Sequence, residues 1–195
     1  MPRAGLTTAT VVAEAARLAD EVGLDRLTLA AVAQRLGVAL PSLYKHIRNL
    51  RALHQQLSVL ALGELTAALT AAAVGKAGRD ALHALAGAYR AYAHRHPGRY
   101  AATLRAPDPG DPAHVAAGEA AVRVLYAVLD GYGLSGERAV DAARCLRSAL
   151  HGFVALEAAD GFKLPQDLDR SYDRLVDALH RAFLTWPENG HTDHT

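Results

Sequence analysis

Apolar residues recur at three- and four-residue intervals along most of the chain, and no segment alternates with the two-residue period of a strand. Thr8 to Val22 places Val12, Ala15, Ala16, Ala19 and Val22 at helical spacing, with Thr7 or Thr8 as cap and Gly23 as stop. Thr28 caps a second, short helix from Leu29 to Leu36, whose inward residues are Leu29, Val32, Ala33 and Leu36; Gly37 ends it. A third runs from about Leu40 to Ile47 and tolerates Pro41 in its first turn. Asn49 is a good cap for a long fourth helix reaching about Ala72. After a break at 73–78, the pattern predicts a fifth helix from Asp80 to Arg95. His96-Pro97-Gly98 interrupts it, and a short sixth helix runs to about Leu104. The Pro-, Asp- and Gly-rich stretch 105–112 is a loop. A seventh helix spans Ala113 to Leu129, and an eighth, capped by Ser135, runs from Gly136 to about Ala159. The ninth, Asp167 to Phe183, aligns Tyr172, Leu175, Val176, Leu179 and Phe183 in one stripe. The tail after Trp186-Pro187 is polar and reads as disordered. The expected fold is all-α.

Composition narrows the function. The chain has 195 residues, 51% of them hydrophobic, enough for one or two compact units with a substantial core. No apolar run reaches 18 residues uninterrupted, and none of signal-peptide length follows Met1 to Gly5, so a membrane partner is not expected. Cys145 is the sole cysteine, which rules out an intrachain disulfide and fits a cytoplasmic location. The net charge of +1 conceals an asymmetry: residues 1–60 hold seven Lys/Arg against four Asp/Glu, the remainder fourteen against sixteen. No acidic residue lies between Asp25 and Glu64, while Arg26, Arg35, Lys45, Arg48 and Arg51 do. Such a one-signed stretch suits an anionic partner or, equally, a solvated basic face.

The second and third helices, joined by Leu36-Gly37-Val38-Ala39, have the form of a helix-turn-helix. Gly37 can turn the chain sharply, and Val38 can plug the angle between the helices. Leu43 and Ile47, four apart, anchor the third helix inward. Pro41, Ser42, Tyr44, Lys45, His46 and Arg48 are then left outward, where short polar groups reach base edges and flanking cations and hydroxyls hold phosphates.

The segment LTLAAVAQRLGVALPSLYKHIRNLRAL resembles the helix-turn-helix of the TetR family of bacterial repressors. Thr28, Gly37, Val38, Leu43, Tyr44, His46, Ile47 and Leu53 match the family pattern, and with Ala16 and Gly23 the resemblance covers roughly residues 8–55. It implies that Tyr44 and His46 bind phosphates, that Pro41, Ser42 and Lys45 face bases, and that Thr28 both caps its helix and touches the DNA backbone. Ala39, Leu40 and Leu50 depart from the pattern, standing where serine, a polar residue and lysine are common. Arg48 and Arg51 are candidates to replace the lost phosphate contacts, and Leu40 to touch a thymine methyl. Arg3, ahead of the first helix, is a candidate for a neighbouring groove, although a disordered tail is the favoured reading.

The expected division is a helix-turn-helix head at 1–52 and a helical dimerisation and effector-binding body at 53–195. The body resembles, more weakly, the TetR carboxy-terminal domain marked by a Trp-His-Gly motif, here Leu150-His151-Gly152. Helix 8, with Val140, Ala143, Leu146, Arg147, Leu150 and Val154, and helix 9 offer a homodimer surface, or alternatively face the body's own core, or each does part of both. Among many alanines, Tyr89, Tyr92, His96, Tyr100, Leu104, His151 and Phe153 are candidates to line an apolar effector pocket with polar anchors; for each singly, an ordinary core or surface role competes. The resemblance implies a repressor that binds a pseudo-palindromic double-stranded operator as a dimer and is released by a small molecule. It implies no cofactor. The chain has no HExxH, paired CxxC or Gly-rich phosphate loop, so neither an enzyme nor a metal protein is expected, and His191 and His194 read as solvated tail. The rival is a helical protein-interaction module that has lost DNA binding.

Overall fold

The computed structural model describes residues 6–187, and within them the chain is helical throughout, with no strand. Arg3, His191 and His194, and the whole of the polar tail after Pro187, lie outside the described residues. The helices are α1 (Thr8–Val22), α2 (Leu29–Leu36), α3 (Leu40–Leu43), α4 (Leu50–Ala73), α5 (Gly78–Arg95), α6 (Pro97–Thr103), α7 (Pro112–Asp130), α8 (Gly136–Ala158) and α9 (Leu168–Leu184).

Their ends follow from local chemistry. Thr7 caps α1 through a reciprocal pair: its hydroxyl accepts from the Thr10 N–H at 3.1 Å, and the Thr10 hydroxyl accepts from the Thr7 N–H at 2.9 Å. Thr28, Asn49 and Asp167 accept from backbone N–H groups at the starts of α2, α4 and α9. Ser135 precedes α8 as expected, but its side chain makes no capping bond. Gly37 closes α2 in the left-handed region, at φ 66° and ψ 32°, where a Cβ would be strained. A 3-10 turn at Leu24–Arg26 follows α1, and the apolar periodicity gave no sign of it.

The chain packs as two compact units, Met1–Leu65 with Tyr92–Ala120, and Thr66–Ala91 with Ala121–Thr195. The first unit is built on α1, α2 and α3. Its core comprises Val11, Ala15, Val32, Leu43, Ile47, Leu53 and Leu57, all at most 1% exposed. On α4, Leu53, Leu57, Ala61, Leu65 and Leu69 form a buried stripe at four-residue spacing. By length and composition alone α4 is apolar enough to cross a membrane; the buried stripe is the pattern of a core helix.

In the second unit, Leu146, Leu150 and Val154 of α8 and Tyr172, Val176 and Phe183 of α9 are buried within the chain's own core. These residues of the two stripes pack inside this unit, while Val140, Leu175 and Leu179 of the same stripes are half-buried and Arg147 is exposed. Arg90 ties its helices together. Its guanidinium forks onto Glu157 at 2.5 and 2.9 Å, reaches Asp169 at 2.7 Å, and lies over the Tyr172 ring at 4.9 Å. The Tyr172 hydroxyl donates to the Ala86 carbonyl at 2.8 Å.

Candidate DNA-binding interface

The α3 region is fixed from beneath. Leu43 is 0% and Ile47 1% exposed, so both anchors are fully inserted in the head core. The regular helix ends at Leu43, earlier than the expected Ile47. Tyr44 still has helical backbone angles, and the His46 and Ile47 N–H groups both donate to the Leu43 carbonyl. The helical course thus continues as a hydrogen-bonded turn rather than a regular helix. Ala39 provides no side-chain cap at its start. The Thr8 hydroxyl reaches the His46 carbonyl at 3.4 Å and fastens the end of this turn to α1.

On this base Pro41, Tyr44, Lys45 and Arg48 are exposed, Tyr44 by 51%, while Ser42 and His46 are half-buried. Thr28 is exposed at the start of α2; its oxygen accepts from the Ala31 N–H, which leaves its own O–H to donate outward. Arg51 is 79% exposed on the first turn of α4. All eight residues singled out for DNA belong to the first unit.

The electrostatics differ from the reading of the sequence alone. The stretch from Arg26 to Gly63 contains no acid, yet two of its cations are paired with acids from elsewhere. Arg35 contacts Glu14 at 3.1 Å and Glu21 at 2.5 Å, which holds the Glu21 carboxyl below the usual range. Arg51 meets Asp108 at 2.8 Å. Arg26, Lys45 and Arg48 have no ion-pair partner among the described residues, so the unneutralised charge is narrower than the sequence run and includes the α3 surface.

Leu40 and Leu50, the two departures in the motif, pack partly buried against the head core. Their apolar side chains are accommodated by the protein itself, so Leu40 is not simply offered outward to a thymine methyl.

A polar joint holds α1 against α6. A Cβ at Gly98 would stand 2.1 Å from the Ala19 carbonyl carbon, so only glycine permits this approach. Asp20 of α1 accepts from the Arg99 backbone N–H at 2.9 Å and lies 3.1 Å from the Arg99 Nε. Arg99 also reaches Glu64 of α4 at 3.2 Å. Three candidates for the effector pocket belong to this neighbourhood. Tyr92 donates to the Ala61 carbonyl and Glu64, each at 3.2 Å, and burial, first, with Glu64 second, raises its hydroxyl pKa far above the ordinary value. The His96 ring lies tilted against Tyr92, with centroids 5.2 Å apart, and places Nδ1 3.3 Å from Asp20. Tyr100 is buried in the same unit, whereas Leu104 is exposed.

The remaining three, Tyr89, His151 and Phe153, belong to the second unit. Tyr89 is buried, His151 is half-buried, and Phe153 packs at 5.0 Å on Tyr172 and 4.9 Å on Phe162. Sequence reasoning missed Asp20, Glu64, Gly98, Arg99 and Asp108. In the sequence Gly98 reads only as a helix break, and no local pattern marks which distant acids meet which cations.

The comparisons with known proteins agree with this architecture. Residues 11–56 match the model for bacterial regulatory proteins of the tetR family, and residues 82–179 match that for a tetracyclin repressor-like carboxy-terminal domain. A helix-turn-helix-type transcriptional regulator of Mycobacterium tuberculosis is 43% identical over 155 residues, which cover 79% of this chain and 71% of that protein. A second, from Bacillus subtilis, is 34% identical over 185 residues, covering 94% of each. A TetR variant from Acinetobacter baumannii, solved with minocycline, superposes with a TM-score of 0.69 at 27% identity, over 92% of this chain and 97% of that one. Matched at both its amino-terminal head and its carboxy-terminal body, the chain belongs to the TetR family of helix-turn-helix, DNA-binding transcriptional regulators.

Proposed function

We propose that the chain works as a cytoplasmic homodimeric repressor, acting by binding rather than catalysis, whose two α3 regions read a pseudo-palindromic operator and whose body releases DNA when it takes up a small, largely apolar molecule. In this division of labour residues 1–52 are the head and 53–195 the body. The observation that carries the reading is the exposed row Pro41, Tyr44, Lys45 and Arg48 standing on the buried anchors Leu43 and Ile47. Lys45 and Ser42 face bases, Tyr44, His46, Arg48 and Thr28 contact phosphates, and Arg51 adds a phosphate contact when it leaves Asp108.

Release by a ligand needs a path from body to head. Tyr92 and His96 support one, since both touch acids of the α1–α6 joint. A ligand that displaces the His96 imidazole acts directly on Asp20 of α1, one that displaces the Tyr92 hydroxyl acts on α4 through Glu64, and a differential affinity for two positions of the head would shift the DNA-binding equilibrium. Tyr89, Tyr100, Leu104, His151 and Phe153 complete the candidate set. The minocycline seen in the Acinetobacter baumannii protein is in keeping with a ligand-binding body here, without identifying its ligand.

Selection of bound sequences from a random double-stranded pool tests the reading. It should return a site of two inverted half-sites about one helical turn apart. Retention that falls steeply with salt but enriches no sequence would sink it. The rival, an interaction module without DNA binding, predicts no retention at low or high salt; the packing of Leu40 and Leu50 into the head speaks against it, because those residues are not a stripped DNA surface.

A further inference from the structure

Among the described residues of the head, most cations are already spoken for. Arg17 is paired with Glu14, Arg35 with Glu14 and Glu21, and Arg51 with Asp108. Lys45 and Arg48 are unpaired and belong to the α3 surface. Arg26 has no ion-pair partner either, and it stands elsewhere, exposed at the end of the 3-10 turn that leads into α2. The turn is held firmly. The Arg26 N–H donates to the Gly23 carbonyl and the Leu27 N–H to the Leu24 carbonyl, each at 3.2 Å. Leu24 is 7% and Leu27 1% exposed, so the chain is pinned to the core on both sides of Arg26.

The pinning decides where the side chain goes. Leu27 is extended, at φ −67° and ψ 126°, and so is Thr28, at φ −131° and ψ 151°. Alternate side chains of an extended stretch share a face. With Leu27 turned into the core, Arg26 and Thr28 stand together on the exposed side. Two residues of chain span at most about 7 Å, so the Arg26 guanidinium is within reach of whatever the Thr28 hydroxyl touches. Asp25, its neighbour in sequence, is turned the other way. It lines the cleft against α6 with Pro97, Gly98 and Ala101, and Arg26 is not part of that wall. A guanidinium fork matches two oxygens of one phosphate. The start of α4 lacks such a free cation, because Leu50 stands where lysine is common and Arg51 is engaged by Asp108. The start of α2 has one in Arg26.

We propose that Arg26 is a further DNA contact, holding a phosphate in the strand segment that takes the Thr28 hydroxyl. This contact rests on the reading of α2 and α3 as the DNA-binding surface and adds to it a cation outside α3. It carries charge rather than sequence information, so Arg26 sets affinity and salt dependence and leaves base preference to Lys45 and Ser42.

The test uses the full-length protein, a fluorescent duplex of the selected operator and a scrambled duplex of the same length. Binding is followed by anisotropy over a series of sodium chloride concentrations. Arg26→Gln should weaken both duplexes by the same factor, roughly three- to tenfold per head at about 0.1 M salt, and lower the slope of log affinity against log salt by about 0.9 per head. Its melting temperature should match the parent's, because the side chain is exposed and unpaired. Arg26→Lys keeps the charge and should keep the slope. Arg17→Gln removes an equal charge from a paired arginine on α1 and should leave the slope unchanged. An unchanged slope in Arg26→Gln, where Lys45→Ala does weaken the operator, overturns the contact and leaves the reading of α3 standing. A loss confined to the operator would make Arg26 a base reader and overturns it too, as does an equal fall in slope with Arg17→Gln. A parent that binds neither duplex at low salt removes both the contact and the reading of the head.

Discussion

Lys45 stands on the turn that continues α3. It is exposed, it has no ion-pair partner among the described residues, and Leu43 and Ile47 on either side are locked in the core. Lys45→Ala should weaken binding to the preferred operator by about 1–3 kcal/mol and relax the preference at one base pair. A uniform loss on all sequences, with the slope of log affinity against log salt falling by about 0.9, would assign it to phosphate instead. Tyr44→Phe deletes only a hydroxyl and should weaken binding modestly at unchanged sequence preference. Arg51 is the opposite case: its charge was legible, its partner was not. Asp108→Asn removes the competing carboxylate, so DNA affinity should rise and the salt slope steepen by about one contact. The same variant has a signature in acid. The Gly110 N–H and then Arg51 hold the Asp108 carboxyl below the ordinary aspartate value. The resulting stabilisation is complete above that ordinary value and is lost as pH falls through the depressed one. Acid unfolding of Asp108→Asn, followed by circular dichroism, should lack this component.

At the scale of the element, helix existence and most boundaries were readable, because caps and glycines are local chemistry. The ends of α1 and α2 fall where Thr7, Gly23, Thr28 and Gly37 put them. The 3-10 turn at Leu24–Arg26 was not readable: three residues carry no apolar period. α3 begins at Leu40 as the sequence predicts, but its regular part ends early, at Leu43, and no local signal marks that end. What periodicity could not reveal is the partner of each face. Gly98 shows the difference: it looks like a helix break and acts as the point where α6 lies against the α1 backbone. Gly98→Ala should destabilise the protein by about 3 kcal/mol, because the atoms in the way are backbone and cannot swing aside. Gly87→Ala is the matched control. It is exposed within α5, nothing lies within 4 Å of its added Cβ, and the variant should gain about 0.5–1 kcal/mol. Equilibrium urea unfolding of both would show whether close approach, rather than helix propensity, explains Gly98.

At the scale of the whole molecule, operator recognition depends on symmetry. A single recognition helix reads only a few base pairs, and a two-fold pair doubles the site and the phosphate contacts. The stripes that sequence periodicity assigned to the dimer, Leu146, Leu150 and Val154 on α8 with Val176 and Phe183 on α9, are occupied within one chain. A dimer built on the same two helices has the partly open residues of these stripes, Val140, Leu175 and Leu179, and the helices' outer faces to use. Those faces offer Leu156, 52% exposed, and Leu184, 63% exposed, large apolar side chains that a lone chain leaves in water. If α8 and α9 form the contact, Leu156→Glu with Leu184→Glu should turn the species seen by sedimentation at micromolar concentration from two chains to one. Far-ultraviolet helicity should be unchanged, because neither residue is in the core. The double variant should still retain an isolated half-site weakly at low salt, since the head is untouched, but lose the gain in affinity that the full operator gives the parent. Each half of this outcome tests a different step. A parent that is already one chain at micromolar concentration, alone and on DNA, would end the dimer model altogether. A variant that remains two chains would keep the dimer and move its surface away from Leu156 and Leu184.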